Sequence, residues 1–266
     1  MTSELPELRD GQELLRVLFL SLDPYMRGRM SATKSYAEPV PVGGVMECEA
    51  VCEVVQSRSQ SFQPGEIVRP MTGWCTYAVM DAPKIRHVDT HRARVSTALG
   101  VLGMPSFTAY GGMRFIGQPK PGETVVVAAA SGPVGSLVRQ LARIADARDV
   151  GVAGGKDKCD YIRDELGYDA VVDHRSPTFD SELATACPKG IDVYFENVGG
   201  HVWDAVFPLL DLYARVPVCG LIAQYNGPRC RRLAKDWEKP IASAEAWMLI
   251  AHIRILSRRL ASYYVY

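Results

Sequence analysis

Ala129-Ala130-Ser131-Gly132-Pro133-Val134-Gly135 separates an apolar run at residues 124–129 from residues 134–147, where Val134, Leu137, Val138, Leu141 and Ile144 recur at helical spacing. Strand, glycine turn and helix in that order make a phosphate-binding turn. Gly132 lets the backbone approach a pyrophosphate, and Gly135 lets the helix pack close to the sheet. The helix N-terminus offers N–H groups and a positive dipole end. The pattern, with Ala129 in the first position, is an A-x-x-G-x-x-G variant of the dinucleotide fingerprint. The bland alternative is a turn in any α/β protein; the strand before and the helix after favour dinucleotide binding.

Downstream, strand and helix patterns alternate. Residues 150–153 read as a second strand and residues 156–166 as a second helix ended by Gly167. Residues 170–172, 192–195 and 215–218 continue the strand series. This alternation implies a Rossmann-type, doubly wound parallel sheet with right-handed crossovers. The second strand ends in Gly154-Gly155-Lys156-Asp157-Lys158. NAD enzymes place an acidic residue there for the ribose 2′-hydroxyl; two glycines and two lysines instead leave room and charge for a 2′-phosphate. NADPH is therefore the expected cofactor. A solvated helix face is the alternative for the lysines, and Asp157 keeps NAD open.

Upstream the pattern differs. Residues 97–116 suit a helix broken near Met104-Pro105. Before them come short strands with Pro/Gly turns: residues 13–22, stopped by Asp23-Pro24; residues 43–55; residues 67–68 after a tight turn at 62–66; and a strand through Val79 after Gly73-Trp74. These suggest a small irregular β barrel to about residue 90. The expected domains are residues 1–95, 96–226 and a tail, 227–266. The tail carries eight Lys/Arg against three Asp/Glu, whereas the whole chain of 266 residues balances 30 against 30.

That balance gives no overall basic surplus to draw nucleic acid or an anionic membrane. No apolar run reaches the roughly 18 residues of a membrane span, and the polar N-terminus lacks a signal-type apolar core. Hydrophobic content of 47% and charged content of 23% fit a globular protein. Seven scattered cysteines suggest reduced thiols and a cytoplasmic location. Cys48 and Cys52 lie four apart in a predicted strand, and no C-x-x-C pair occurs, so no zinc site is expected.

Longer stretches resemble a known group. They are Leu20-Ser21-Leu22-Asp23-Pro24-Tyr25-Met26-Arg27-Gly28-Arg29-Met30; Gly43-Gly44-Val45-Met46; Leu99 to Pro105 with Thr108-Ala109-Tyr110; Ala128 to Gly135; Glu196-Asn197-Val198-Gly199-Gly200; and Pro217 to Ile222 with Tyr225-Asn226. The chain resembles the zinc-independent medium-chain dehydrogenase/reductases, in the branch of prostaglandin, 2-alkenal double-bond and curcumin reductases. The resemblance runs from about residue 11 to 226. It implies a groES-like barrel before the Rossmann domain. It also implies that Gly132, Pro133, Val134 and Gly135 hold the pyrophosphate and that Gly154 and Lys158 border the 2′-phosphate. His174 stands where relatives often carry a tyrosine near the adenosine phosphate. By the same resemblance, Asn197 contacts the nicotinamide side, and Cys219, Gly220 and Tyr225 belong to the loop beneath the nicotinamide ribose. Tyr25 and Tyr36 match two tyrosines of the substrate pocket. Bland roles exist for each: a plug of the barrel end for Tyr25, a plain loop residue for Tyr36, a surface residue for His174, a turn cap for Asn197 and a buried apolar group for Cys219. Where zinc enzymes carry Gly-His-Glu, this sequence has Met46-Glu47-Cys48.

The implied reaction is NADPH-dependent reduction of the C=C bond of an α,β-unsaturated ketone or aldehyde, a small conjugated carbonyl. An inactive member that keeps its nucleotide-binding core and a quinone reductase are the alternatives. Relatives extend beyond this sequence at both ends, so the Rossmann sheet is expected to be incomplete, and a homodimer is expected to lack its usual sheet edge. Residues 241–260 could form a helix covering that edge.

Overall fold

A computed structural model describes residues 6–32 and 37–226. The chain divides into two compact units, Met1–Met104 and Pro105–Tyr266.

The first unit is an antiparallel sheet of β1 (Gln12–Leu20), β2 (Ala50–Ser57), β3 (Ile67–Arg69), β4 (Tyr77–Asp81) and β5 (Arg86–His87), in the order β4-β1-β2-β3-β5. Leu15, Cys52, Val54, Phe62 and Val68 pack together as its core. The extended segment read at residues 43–55 is a strand only from Ala50. Gly44 N–H closes a turn onto the Pro41 carbonyl, and the Met46 and Cys48 carbonyls accept from Trp74 and Gly73 instead of from a strand.

The second unit holds the parallel sheet: β6 (Thr124–Ala128), β7 (Arg148–Ala153), β8 (Ala170–Asp173), β9 (Ile191–Phe195) and β10 (Leu210–Arg215), in the order β10-β9-β6-β7-β8. The central strand β6 is wholly buried. Val125 and Val127 pack on one side with Val138, Ala142, Ile162 and Phe195; Val126 and Ala128 pack on the other with Leu183, Tyr194 and Val202. The period of two thus feeds two cores, which is why the strand reads as a continuous apolar run. Burying each such valine is worth about 1.5–3 kcal/mol.

The helix Pro133–Ile144 covers one face, while Phe179–Ala186 and Gly200–Val206 cover the other. The latter two helices escaped sequence reading because eight and seven residues give the amphipathic period too little length. The second predicted helix is α-helical only over Lys156–Asp160 and then widens to a π-type turn at Tyr161–Glu165. The last predicted strand also moves: β10 ends at Arg215, and Val218 makes only an isolated bridge to Glu196. Pro217 has no N–H to contribute to a ladder. Between residues 97 and 116 the break does fall before Met104, and a helix runs over Met104–Gly111.

Candidate functional site

The turn after β6 is built by close approach. Ala129 adopts a left-handed φ of +52°. A Cβ at Gly135 would lie 2.7 Å from the Cα of Ala130 and 2.9 Å from its carbonyl oxygen, so only glycine lets the helix begin this near the strand. Gly132 is the N-cap and Pro133 follows in the first turn, where its missing N–H costs nothing. Ala129, Ser131, Gly132, Pro133 and Val134 all retain solvent exposure. Their position at the carboxyl end of the central strand is where open α/β sheets take ligands. Behind the turn, the buried Tyr168 hydroxyl donates to the Gly135 carbonyl at 2.9 Å. Sequence reading missed Tyr168, since nothing local marks a residue that reaches back thirty-three positions.

At the end of β7, Gly154 and Gly155 face the turn after β8. Space for a side chain at Gly154 is taken by Nε2 of His174, and Nε of Arg175 would lie 3.1 Å from a Cβ there. Gly155 has φ +90°, and its N–H donates to Asp173 Oδ1 at 2.9 Å; the same oxygen accepts from Arg175 N–H at 2.9 Å. These bonds hold the Asp173 carboxyl below its usual range. Lys156 is engaged with Asp160, whereas Lys158 has no ion-pair partner among the described residues. Burial, and then His201, push the His174 imidazole below its ordinary value. His174 Nδ1 lies 3.1 Å from His201 Nε2, which also lies 3.1 Å from the His174 carbonyl oxygen. Arg175 and His201 carried no motif and were not picked out from the sequence.

At the end of β9, Asn197 donates its side-chain amide to the Ala128 carbonyl at 2.8 Å, tying β9 to the strand that leads into the phosphate turn. Glu196 is fully buried; its Oε1 accepts from Val198 N–H at 2.6 Å and Gly199 N–H at 2.9 Å. Burial pushes its carboxyl up to about 7. Its Oε2 and the Tyr194 hydroxyl interact electrostatically, yet neither completes a hydrogen bond of normal geometry. The segment from Cys219 to Tyr225 is sewn to the same turn: Cys219 N–H reaches the Glu196 carbonyl at 2.9 Å and Ala223 N–H the Val198 carbonyl at 3.0 Å. The Cys219 thiol is pushed up to about 12 by burial, which suits a packing group. Gly220 sits against the Asn197 carbonyl, and the Tyr225 hydroxyl lies 3.7 Å from where a Gly220 Cβ would stand. Thus Ala129, Gly132, Pro133, Val134, Gly135, Gly154, Lys158, His174, Asn197, Cys219, Gly220 and Tyr225 all belong to the second unit, on or near turns that follow its strands.

In the first unit, Tyr25 is the N-cap of the short helix Met26–Arg29. The Arg29 guanidinium stands 5.8 Å from its ring centroid, buried and paired with Glu47 at 3.2 Å. Tyr36 lies outside the described residues, as does the basic tail from residue 227 with its predicted helix. Among the described residues no group of three or more His, Cys, Asp or Glu could hold a metal ion, and no helix is long and apolar enough to cross a membrane.

Residues 1–88 match the family described as the N-terminal domain of oxidoreductase, and residues 133–236 that described as zinc-binding dehydrogenase. The chain is 52% identical over 217 residues to the NADPH-dependent curcumin reductase of Escherichia coli (strain K12), covering 82% of this chain and 63% of that protein. It is 40% identical over 229 residues to prostaglandin reductase 1 of Mus musculus, covering 85% of this chain and 67% of the relative. Among solved structures, CurA from Vibrio vulnificus in complex with NADPH superposes with a TM-score of 0.84 at 46% identity, over 97% of this chain and 74% of that one. The chain therefore spans about two thirds of the length of the curated relatives it matches.

Proposed function

Because this chain belongs to the medium-chain dehydrogenase/reductase superfamily, together with the curcumin, prostaglandin and 2-alkenal reductases, we propose that it binds NADPH and reduces the C=C bond of small α,β-unsaturated ketones or aldehydes. The observation that carries this reading is the turn at Ala129–Gly135, in which the space a Gly135 side chain would fill is needed for the helix to start against Ala130. The residues present fit a dinucleotide. Gly132, Pro133, Val134 and Gly135 would hold the pyrophosphate at a helix N-terminus. Gly154, Lys158 and His174 would border the 2′-phosphate. Asn197, Cys219, Gly220 and Tyr225 would bound the nicotinamide half.

When bound, the reduced nicotinamide supplies hydride to the β-carbon of the conjugated carbonyl. The chain's own part is to hold the carbonyl oxygen as negative charge gathers there and to bring a proton to the α-carbon. Tyr25 and Tyr36 are the proposed donors. A phenol with pKa near 10 is matched to an enolate of comparable basicity, and donors fixed in advance contribute most to such a step. The Arg29 guanidinium lies 5.8 Å from the Tyr25 ring centroid, a cation–π contact that helps to orient the ring. We read the reaction as zinc-independent, because Met46-Glu47-Cys48 offers no imidazole where zinc enzymes carry Gly-His-Glu, and no C-x-x-C pair occurs in the sequence. Free thiols at Cys48, Cys75 and Cys159 support a reducing, cytoplasmic setting.

The deciding experiment incubates the full chain with NADPH and a conjugated enone and identifies the product. A saturated ketone is expected. In the Tyr25→Phe protein turnover should fall while enone binding persists. An allylic alcohol as main product would refute the reaction type. Firm NADPH binding without turnover of any enone would leave a dinucleotide-binding protein that is not a reductase.

A further inference from the structure

The second strand of a dinucleotide-binding sheet ends at the ribose 2′ position, about 20 residues past the glycine turn. Here that end is Gly154-Gly155, and the space above Gly154 is filled from outside the strand. His174 Nε2 stands where the side chain would begin; Arg175 Nε would be 3.1 Å from a Cβ at Gly154, and its Nη1 3.4 Å from one at Gly155. Two cationic or donor groups thus replace the carboxylate that would accept a 2′-hydroxyl.

The second imidazole decides how His174 is presented. The His174 carbonyl oxygen can only accept, so His201 Nε2, 3.1 Å away, must carry the proton and donate to it. The same N–H faces His174 Nδ1 at 3.1 Å, which must then be the bare nitrogen. In neutral His174 the proton is left on Nε2, the atom over Gly154. His201 sits at the start of the helix Gly200–Val206, with Phe179 edge-on at 6.0 Å. The charged groups facing His174 are Asp173 and Arg175 from its own turn and His201 from that helix. Asp173 Oδ1 is turned to the Gly155 and Arg175 backbone N–H groups. From the β7 side come only the two glycines, with Lys158 further along the exposed helix that follows.

We propose that Arg175 and His174, the latter held in one tautomer by His201, discriminate the 2′-phosphate of the cofactor from a 2′-hydroxyl, and that this discrimination strengthens as pH falls. The inference rests on the dinucleotide-binding reading given under Proposed function. Arg175 supplies a permanent charge and a planar donor edge. His174 supplies an N–H when neutral and a charge when protonated. Without ligand, protonation is opposed because a second proton on Nδ1 would face the His201 N–H. A phosphate dianion over Nε2 favours it. Binding therefore takes up a proton, and by linkage affinity rises toward acid.

The test measures dissociation constants for NADPH and NADH on the full chain by cofactor fluorescence between pH 5.5 and 8.5, a readout independent of turnover. Arg175→Ala should weaken NADPH about tenfold, the loss of one charge-assisted contact, and change NADH less than about twofold. His174→Asn should flatten the pH dependence of the NADH-to-NADPH ratio; the 2′-phosphate's own titration remains in the variant and serves as the baseline. His201→Ala should flatten it too, whereas His201→Gln, whose amide can still donate to the carbonyl, should restore part of it. A parallel loss of NADPH and NADH in Arg175→Ala, or a ratio whose pH profile is the same in wild type and His174→Asn, would overturn the inference while leaving dinucleotide binding intact. Failure of the wild-type chain to bind either nucleotide would overturn both readings.

Discussion

Glu196→Gln should make the protein more stable at alkaline pH and leave it nearly unchanged in acid. The carboxyl is fully buried, and its pKa is raised from 4.5 to about 7, first because burial penalises the charged form and in spite of the Val198 and Gly199 N–H groups that favour it. Between those two values the folded protein holds a proton that the unfolded chain has lost. Stability from this group is therefore full below pH 4.5, declines as pH rises to about 7 and stays low beyond. A displacement of that size corresponds to about 3 kcal/mol at 1.36 kcal/mol per unit. Glutamine keeps a carbonyl oxygen for Val198 and Gly199 and offers an amide toward the Tyr194 hydroxyl, which lacks a hydrogen-bond partner. Denaturant unfolding at a series of pH values tests this. Trp203 reports on the region, since its ring lies 6.0 Å from Tyr194. The two proteins should coincide at about pH 4 and separate by about 2–3 kcal/mol at pH 8. Parallel stability curves across that range would show that Glu196 does not change its proton affinity on folding, and the reasoning from burial would fail.

Gly135→Ala should abolish dinucleotide binding and cost about 1–3 kcal/mol, because the methyl would press on Ala130 and force the helix away from the strand; isothermal titration and thermal melting of the variant check this, and wild-type affinity would refute it. Tyr168→Phe should cost about 0.5–1.5 kcal/mol by removing one hydrogen bond to the Gly135 carbonyl, which lies in the first turn of its helix and keeps its bond within that helix, read as a lower denaturant midpoint with unchanged slope; an unchanged midpoint would mean that water replaces the hydroxyl.

The parts legible in the sequence were those encoded by neighbouring residues. Strand β6, the glycine turn and the following helix are contiguous and periodic, so their conformation could be read from spacing alone. Gly154-Gly155 was legible for the same reason, as an absence of carboxylate. Of what filled that absence, His174 was reached only through the family resemblance, and Arg175 and His201 were not reached, because Arg175 follows a different strand and His201 lies twenty-seven residues beyond His174. Glu196 was quoted within a motif yet given no task, since its burial follows from packing between β6 and β10. The shift of the last strand to Leu210–Arg215 has a local cause. Asp211 and an exposed Tyr213 with φ +65° interrupt the apolar signal at an edge strand, while the more apolar residues after Arg215 run into Pro217.

Several loops at the carboxyl edge of the parallel sheet are tied by polar side chains at or near strand ends. Tyr168 holds the Gly135 carbonyl, Asp173 the Gly155 N–H, Asn197 the Ala128 carbonyl, and Glu196 the N–H groups of Val198 and Gly199. The glycines these groups hold, at 135, 155 and 199, are conformationally costly, since glycine loses the most freedom on folding. A polar anchor beside each offsets that cost and leaves the loop backbone set before any ligand arrives. Burying the anchors is tolerable only while their bonds are made. Glu196 is fully buried and keeps one oxygen without a hydrogen bond, and burial raises its pKa. Asp173, half exposed and doubly bonded, carries the opposite shift. The same device therefore stabilises one loop at neutral pH and strains another. The strained loop is the one sewn to Cys219–Tyr225, on the side of the sheet assigned above to the reacting half of the cofactor.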